Sequence, residues 1–377
     1  MLNTSQLEQQ LLSFTREKLA DPAIAASITV ETRLFEDRVI DSLKILELIA
    51  FLQSAIERKI PDSQIVLANF QSIATIARVF TGVQSLTEKR GSSRRRTTRR
   101  ALSGRSAVHE LFARRELELT SDGGLRMRGA VAGLRDYFDN TVCDWANELG
   151  ATAISFPDQI SLEVLEQAGF LAAFPDKLVR TTDAARSPAV CYHHYPTLAG
   201  CTVDPRGSIA TALGHCYRNE FDAHSANPVE RLREFTMREI ITVGDSSAVE
   251  KTRRDLMVRV EAWLKQLSID GFIETATDPF FTDESRGRLL MQQMLPLKYE
   301  LRLRVDDAGR TVAAASFNNH HDHFARAFGI QLASGEAANT GCVAFGWERW
   351  AIAFVNQHGA DERNWPVSVR DDVAATA

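Results

Sequence analysis

GHCYRNEFDAHSANPVERLREFTMREIITVG, residues 214–244, places two strand-like pieces around a polar loop at Asp222 to Pro228. Side chains on a strand alternate between its faces. Cys216, Arg218 and Glu220 therefore share one face of the first piece, and Arg231, Arg233, Phe235, Met237 and Glu239 share one face of the second. Arginines, carboxylates and an aromatic are poor core material, because unpaired buried charge is costly. The same set suits a nucleotide, with arginine on phosphate and Phe235 stacked on a base.

Further on, Gly341-Cys-Val-Ala-Phe-Gly-Trp-Glu-Arg-Trp350 leads a short small-residue strand through Gly346 into a helix that opens with Glu348-Arg349. Glycine lets a ligand approach the backbone, and an arginine at a helix start can hold a phosphate. Around these segments, helical stretches (Gly129 to Leu149, Val249 to Leu267) alternate with strand-like runs at Glu234 to Val243, Tyr299 to Val305 and Val343 to Phe345. This order implies an α+β fold with an antiparallel sheet flanked by helices. Neither GxGxxG nor GxxxxGK[ST] occurs, which excludes the Rossmann and P-loop signatures.

The chain has 377 residues, is 44% hydrophobic and 25% charged, and carries a formal charge of −5. That composition has room for two globular domains and argues against a generic nucleic-acid binder. No apolar run approaches the ~20 residues of a membrane span. The start MLNTSQLEQQ lacks the regions of a signal peptide, so a cytoplasmic location is expected. The five cysteines, at 143, 191, 201, 216 and 342, contain no CxxC pair. In a reducing compartment they are buried thiols or metal ligands rather than disulfides.

Residues 1–84 form a helical unit. Gln6 to Leu19 is one helix, Ile45, Leu48, Ile49, Leu52 and Ile56 make the apolar face of another, Ile60-Pro61 ends it, and Phe70 to Phe80 supplies a last one. Ser42, in Val39-Ile-Asp-Ser-Leu-Lys-Ile-Leu-Glu-Leu48, stands at the second helix's mouth as an N-cap or a covalent attachment point. Residues 85–105 are a linker rich in Arg and Ser. From Lys89 to Arg105 there is no acid and little to bury. A second domain follows over 106–377.

The motifs at 214–244 and 341–350 together resemble motifs 2 and 3 of class II aminoacyl-tRNA synthetases. Arg218-x-Glu220 followed by Arg231-x-x-x-Phe235 matches the first, and Gly341 through Gly346-x-Glu348-Arg349 the second. REFTMRE and Asp278-Pro-Phe-Phe281 are similar to the seryl and threonyl branch. A tRNA-binding arm is expected to be missing. With AVCYHHYP and SFNNHHDHF, the stretch 125–365 most resembles amino acid:[carrier protein] ligases, relatives of the atypical zinc-containing seryl-tRNA synthetases.

The resemblance implies ATP-dependent activation of glycine or alanine as an adenylate, then transfer to a carrier's phosphopantetheine thiol. It implies Arg218 and Arg349 as catalytic residues on the α- and γ-phosphates. Glu220, Arg231, Leu232, Phe235, Lys298, Glu300 and Ser316 are the other ATP contacts. The class places a metal-binding acid near Ala313, so Glu300 is the remaining magnesium candidate. A zinc ion is implied on Cys191, Glu239 and Cys342, with Glu239 beside the substrate amino group. Cys201, His193 and His194 are alternatives to Cys191, and His320, His321 and His323 are a rival metal site or a pocket lining. Asp41-Ser42-Leu43 resembles the attachment motif of carrier proteins, which implies 4′-phosphopantetheine on Ser42 and a phosphopantetheinyl transferase as partner. Residues 1–80 carry eight basic and ten acidic side chains, fewer acids than many carriers. The class also implies a homodimer, and the core without its arm makes tRNA an unfavoured partner.

Overall fold

A computed structural model describes residues 3–19, 25–35, 39–40, 44–61, 64–65, 67–81, 107–220, 228–276 and 297–376. Ser42, the 85–105 linker, most of the 222–228 loop and Asp278 to Phe281 lie outside the described residues. The chain divides into two compact units, one holding the described residues up to 81 and the other those of 107–276 and 298–376.

In the first unit, α1 (Thr4–Phe14) opens with a capping box in which Asn3 accepts from the Gln6 N–H and Gln6 accepts from the Asn3 N–H. The expected helix to Leu19 is α-helical only to Phe14 and finishes as a π-helical turn, Thr15–Leu19. Next come α2 (Lys44–Ala55), α3 (Leu67–Phe70) and α4 (Ile73–Thr81). The single expected helix at 70–80 is two, because the Ser72 hydroxyl accepts from the Thr75 N–H and starts α4 afresh. Leu7, Leu11, Ile45, Leu48, Leu52, Phe70, Ile73 and Ile76 form the core of this unit. Each contributes about 1.5–3 kcal/mol by burial.

The second unit is built on a seven-stranded sheet of β1 (Thr152–Ala153), β2 (Ser208–Tyr217), β3 (Glu234–Gly244), β4 (Gly271–Thr275), β5 (Lys298–Arg304), β6 (Thr311–His321) and β7 (Asn339–Gly346). Its order is β1-β2-β3-β7-β6-β5-β4, antiparallel except for the parallel β1–β2 pair. One face is covered by α5 (Ala130–Glu148), α7 (Ser246–Gln266) and α9 (Trp347–His358). There Ile240, Phe317, Leu301, Val343 and Phe345 of the sheet meet Phe138, Val260, Trp263, Trp350 and Phe354 of the helices in one cluster. Phe138 is its hub, with ring centroids 5.5–5.7 Å from Trp263, Trp350 and Phe354. The short helices α6 (Cys191–Thr197) and α8 (His323–Phe328) belong to a separate cluster with Ile241 and Cys342 on the other face. Among the described residues no helix is long and apolar enough to cross a membrane.

Candidate active site

Strand register brings the chemistry to the face opposite the helical layer. Ala212 pairs with Glu239, Glu239 with Ala344, Ala344 with Ser316 and Ser316 with Glu300, which makes one transverse row. The next row runs Ile241, Cys342, Asn318, Lys298. Directly paired residues point to the same face. Two pockets of polar chemistry therefore stand on one floor.

The first is an open cleft whose empty space, mouth included, is about 730 Å³. Arg218, Glu220, Leu232, Phe235, Lys298, Glu300, Ser316 and Arg349 line it. Arg349 sits in the first turn of α9. Its Nε donates to the Glu230 carbonyl at 3.0 Å and its Nη1 to the Ala313 carbonyl at 2.9 Å. Burial and the neighbouring Arg218 charge push its guanidinium below the usual arginine value. Arg218 donates to the Pro188 carbonyl at 3.2 Å, and its guanidinium lies 5.3 Å from the Phe235 ring centre. Main-chain oxygens thus hold both cations in position before any anion arrives.

Arg218 and Glu220 were expected on a strand face beside Cys216, but β2 ends at Tyr217. Asn219 leaves the ladder to bond the Lys177 and Asp176 carbonyls. Burial raises the Glu220 carboxyl, but the bond to Lys177 at 2.7 Å and the charges of Lys177, Arg218 and Arg349 together outweigh it and hold the group below its ordinary range. Lys298 pairs with Glu300 at 3.0 Å. Arg231 is exposed and outside the cleft lining, although its charge reaches Arg349.

The second pocket is closed. Cys191, Glu239 and Cys342 are buried, at 4%, 1% and 5% exposure, and their ligand atoms all lie within 4.8 Å of one another. Among the described residues they are the one group of three such side chains that converges in this way. Glu239 Oε1 accepts from the Val190 N–H at 2.9 Å, while its buried Oε2 has no hydrogen-bond partner. The Cys342 hydrogen bond and burial push the Cys191 thiol up. Cys191 in turn draws Cys342 down, but burial and Glu239 leave that thiol raised. Burial likewise raises the Glu239 carboxyl. Two sulfurs and a carboxylate with one orphaned oxygen suit a zinc ion with a fourth position left open. Cys201 is exposed and outside this group; half-buried His193 and buried His194 also lie outside it. His193 instead stacks on Phe156, with ring centres 5.4 Å apart. His320 borders the group, 3.8 Å from the Cys342 sulfur. Burial lowers its pKa to about 3, helped by the charges of His323, His321 and Arg253. His323 bonds the Ala168 carbonyl.

Further side chains hold this floor. Glu348 of the helix start points inward, where both its oxygens accept from the Thr236 N–H and Oε1 also accepts from the Thr236 hydroxyl at 2.6 Å. That clamp fixes the first turn of α9, and with it Arg349, to β3. On the helical side, Asp139 takes a two-pronged bond from Arg238 at 2.6 and 2.7 Å and a third from the Trp347 indole at 2.8 Å. Charged bonds of this kind are the strong ones. Gly341 precedes Cys342 in β7, and a Cβ there would stand 2.6 Å from Val249 Cγ1 and 2.8 Å from the Asn318 carbonyl oxygen.

The fold is that of the class II synthetases. It superposes on Methanopyrus kandleri seryl-tRNA synthetase bound to Aquifex aeolicus tRNASec with a TM-score of 0.64 at 20% identity, covering 81% of this chain and 68% of that one. On Pyrococcus horikoshii seryl-tRNA synthetase complexed with ATP the TM-score is 0.59 at 14% identity, covering 72% and 63%. In sequence the chain is 33% identical over 254 residues to amino acid--[acyl-carrier-protein] ligase 1 of Bradyrhizobium diazoefficiens, covering 59% of this chain and 77% of that protein. Ligase 2 of the same organism is 31% identical over 259 residues, covering 59% and 75%. A type-2 serine--tRNA ligase of Methanococcus maripaludis is 30% identical over 203 residues, covering 52% and 39%. No protein-family model matches. The chain belongs to the amino acid--[acyl-carrier-protein] ligase family.

Proposed function

We propose that this chain activates glycine or alanine with ATP and magnesium as an aminoacyl-adenylate, and passes the aminoacyl group to the phosphopantetheine thiol of a carrier protein. The observation that carries the reading is the shared row, in which Glu239 of the buried group stands in register with Ser316 and Glu300 of the cleft. An amino group held at one end leaves its carboxylate facing a nucleotide at the other. A carboxylate oxygen attacks the α-phosphorus and pyrophosphate leaves. Arg218 offsets the charge that develops there, and Arg349 holds the γ-phosphate. Both are preset, so little reorganisation accompanies the reaction. Phe235 and Arg349 enclose the adenine, with Glu220, Leu232, Lys298 and Ser316 around the nucleotide and Arg231 at its mouth. Glu300 is the magnesium contact. Zinc on Cys191, Glu239 and Cys342 supplies a Lewis-acid position for the substrate amino group. The carrier thiolate then attacks the adenylate carbonyl and AMP departs.

Residues 1–84 are the proposed carrier domain, 85–105 the linker and 106–377 the catalytic domain, in a cytoplasmic homodimer. The pantetheine arm is assigned to Ser42, and a separate carrier is the other acceptor. The test is intact-mass analysis of the full chain after a phosphopantetheinyl transferase, coenzyme A, ATP and each amino acid, beside pyrophosphate exchange. Wild type gains the arm and then one glycyl or alanyl group, and Ser42→Ala gains neither. A Ser42→Ala chain that still captures a stable thioester without added carrier refutes self-loading. Absence of exchange with any small amino acid overturns the ligase reading in favour of a non-catalytic nucleotide binder. The serine--tRNA ligase relatives favour tRNA as a second acceptor, and aminoacylation of total tRNA tests it.

A further inference from the structure

Two side-chain nitrogens of β6 converge on the sulfur of Cys342. Asn318 Nδ2 lies 3.4 Å from Cys342 Sγ, and the same amide reaches the Cys342 carbonyl at 3.3 Å and the Ser316 hydroxyl at 3.0 Å. His320 Nε2 lies 3.8 Å from the sulfur. A β-bulge puts this ring there. Asn319 pairs with Gly341 and His321 with Thr340, so His320 is the extra residue of the strand. The bulge closes at His321, whose φ of 50° is in the left-handed region that non-glycine residues rarely adopt. Such bulges re-aim side chains next to functional sites.

The other nitrogen of His320 faces hydroxyls, Tyr195 at 3.2 Å and Thr340 at 3.5 Å. Thr340 Oγ1 donates to the His321 carbonyl at 3.3 Å. With both ring nitrogens engaged, the imidazole is held between these hydroxyls and the sulfur. Tyr195 is fully buried and stacks on Phe324 with ring centres 4.3 Å apart, and Phe324 meets the His320 ring edge-on at 4.9 Å. The imidazole is thereby clamped from two sides.

We propose that Asn318 and His320 are positioning residues that aim the Cys342 sulfur at Cys191 and Glu239, so that the three-ligand set exists before metal arrives. The inference rests on the zinc reading of that set. Partners of a metal ligand typically control about 10–100-fold in affinity. The probe is zinc itself, titrated into the metal-stripped full chain against a chromophoric chelator, with cobalt as a spectroscopic stand-in. His320→Phe and Asn318→Ala are expected to bind zinc about 10–100-fold more weakly than wild type and to shift the cobalt–thiolate absorption. His320→Gln keeps an N–H donor and is expected to recover part of the affinity. Thermal unfolding of the metal-free chains shows which variants fold, and if His320→Phe does not, Asn318→Ala and His320→Gln decide. Wild-type affinity and an unchanged cobalt spectrum in folded variants overturn the positioning role. If wild type binds no more zinc than Cys191→Ser, the zinc reading itself falls, and the inference with it.

Discussion

The two ends of the sheet face solve opposite problems. The cleft is open, and long side chains work there, with the Arg218 and Arg349 guanidiniums held on the carbonyls of Pro188, Glu230 and Ala313. The Cys191–Glu239–Cys342 group is closed, and short side chains from α6, β3 and β7 meet with one oxygen unpartnered. An open site can leave its anion partly to water, so cations must be prepositioned. The buried group leaves one Glu239 oxygen without a hydrogen-bond partner, which makes it the candidate place for an ion.

The contrast predicts separable failures. The largest effect is expected from Arg349→Ala, with amino-acid-dependent pyrophosphate exchange falling about 10²–10³-fold. Arg349→Lys should recover little, because a point charge cannot span two carbonyls. Next comes Cys191→Ser, with exchange reduced by several kcal/mol of barrier, on the order of 10²-fold or more, while the calorimetric Kd for ATP stays the same. Equal losses in ATP binding and exchange would show that the two ends are one site. The smallest effect is expected from Thr236→Val, which removes one of the bonds to buried Glu348. A loss of about 1–3 kcal/mol in thermal or denaturant unfolding should appear. Zinc affinity should stay unchanged, because Thr236 touches neither Cys191 nor Cys342.

How much of this was legible follows from what periodicity can carry. Alternation along two strands put Phe235 and Glu239 on one face without knowledge of the fold, and they lie on one face. Alternation cannot see where a ladder stops, so Arg218 and Glu220 were expected on a strand that ends at Tyr217. Nor can it choose between Cys191 and Cys201, ten residues apart, because α6 buries one and leaves the other exposed. Asp139 was invisible for a different reason. One of four acids in an amphipathic helix looks like solvated surface until Arg238, 99 residues away, folds back onto it. The helix opening at Glu348-Arg349 was readable as a helix start, yet only the structure shows the glutamate bonded to Thr236 and the arginine to the Glu230 and Ala313 carbonyls.

Gly341 puts a limit on this face that concerns inheritance rather than chemistry. With Val249 and the Asn318 backbone already inside the space that a methyl group would need, position 341 admits glycine alone unless α7 or β6 shifts. A substitution there would press on Val249 and the Asn318 backbone next to Cys342, so it would read out as lost stability. Descendants of this chain must keep the atom-scale gap behind the Cys342 sulfur.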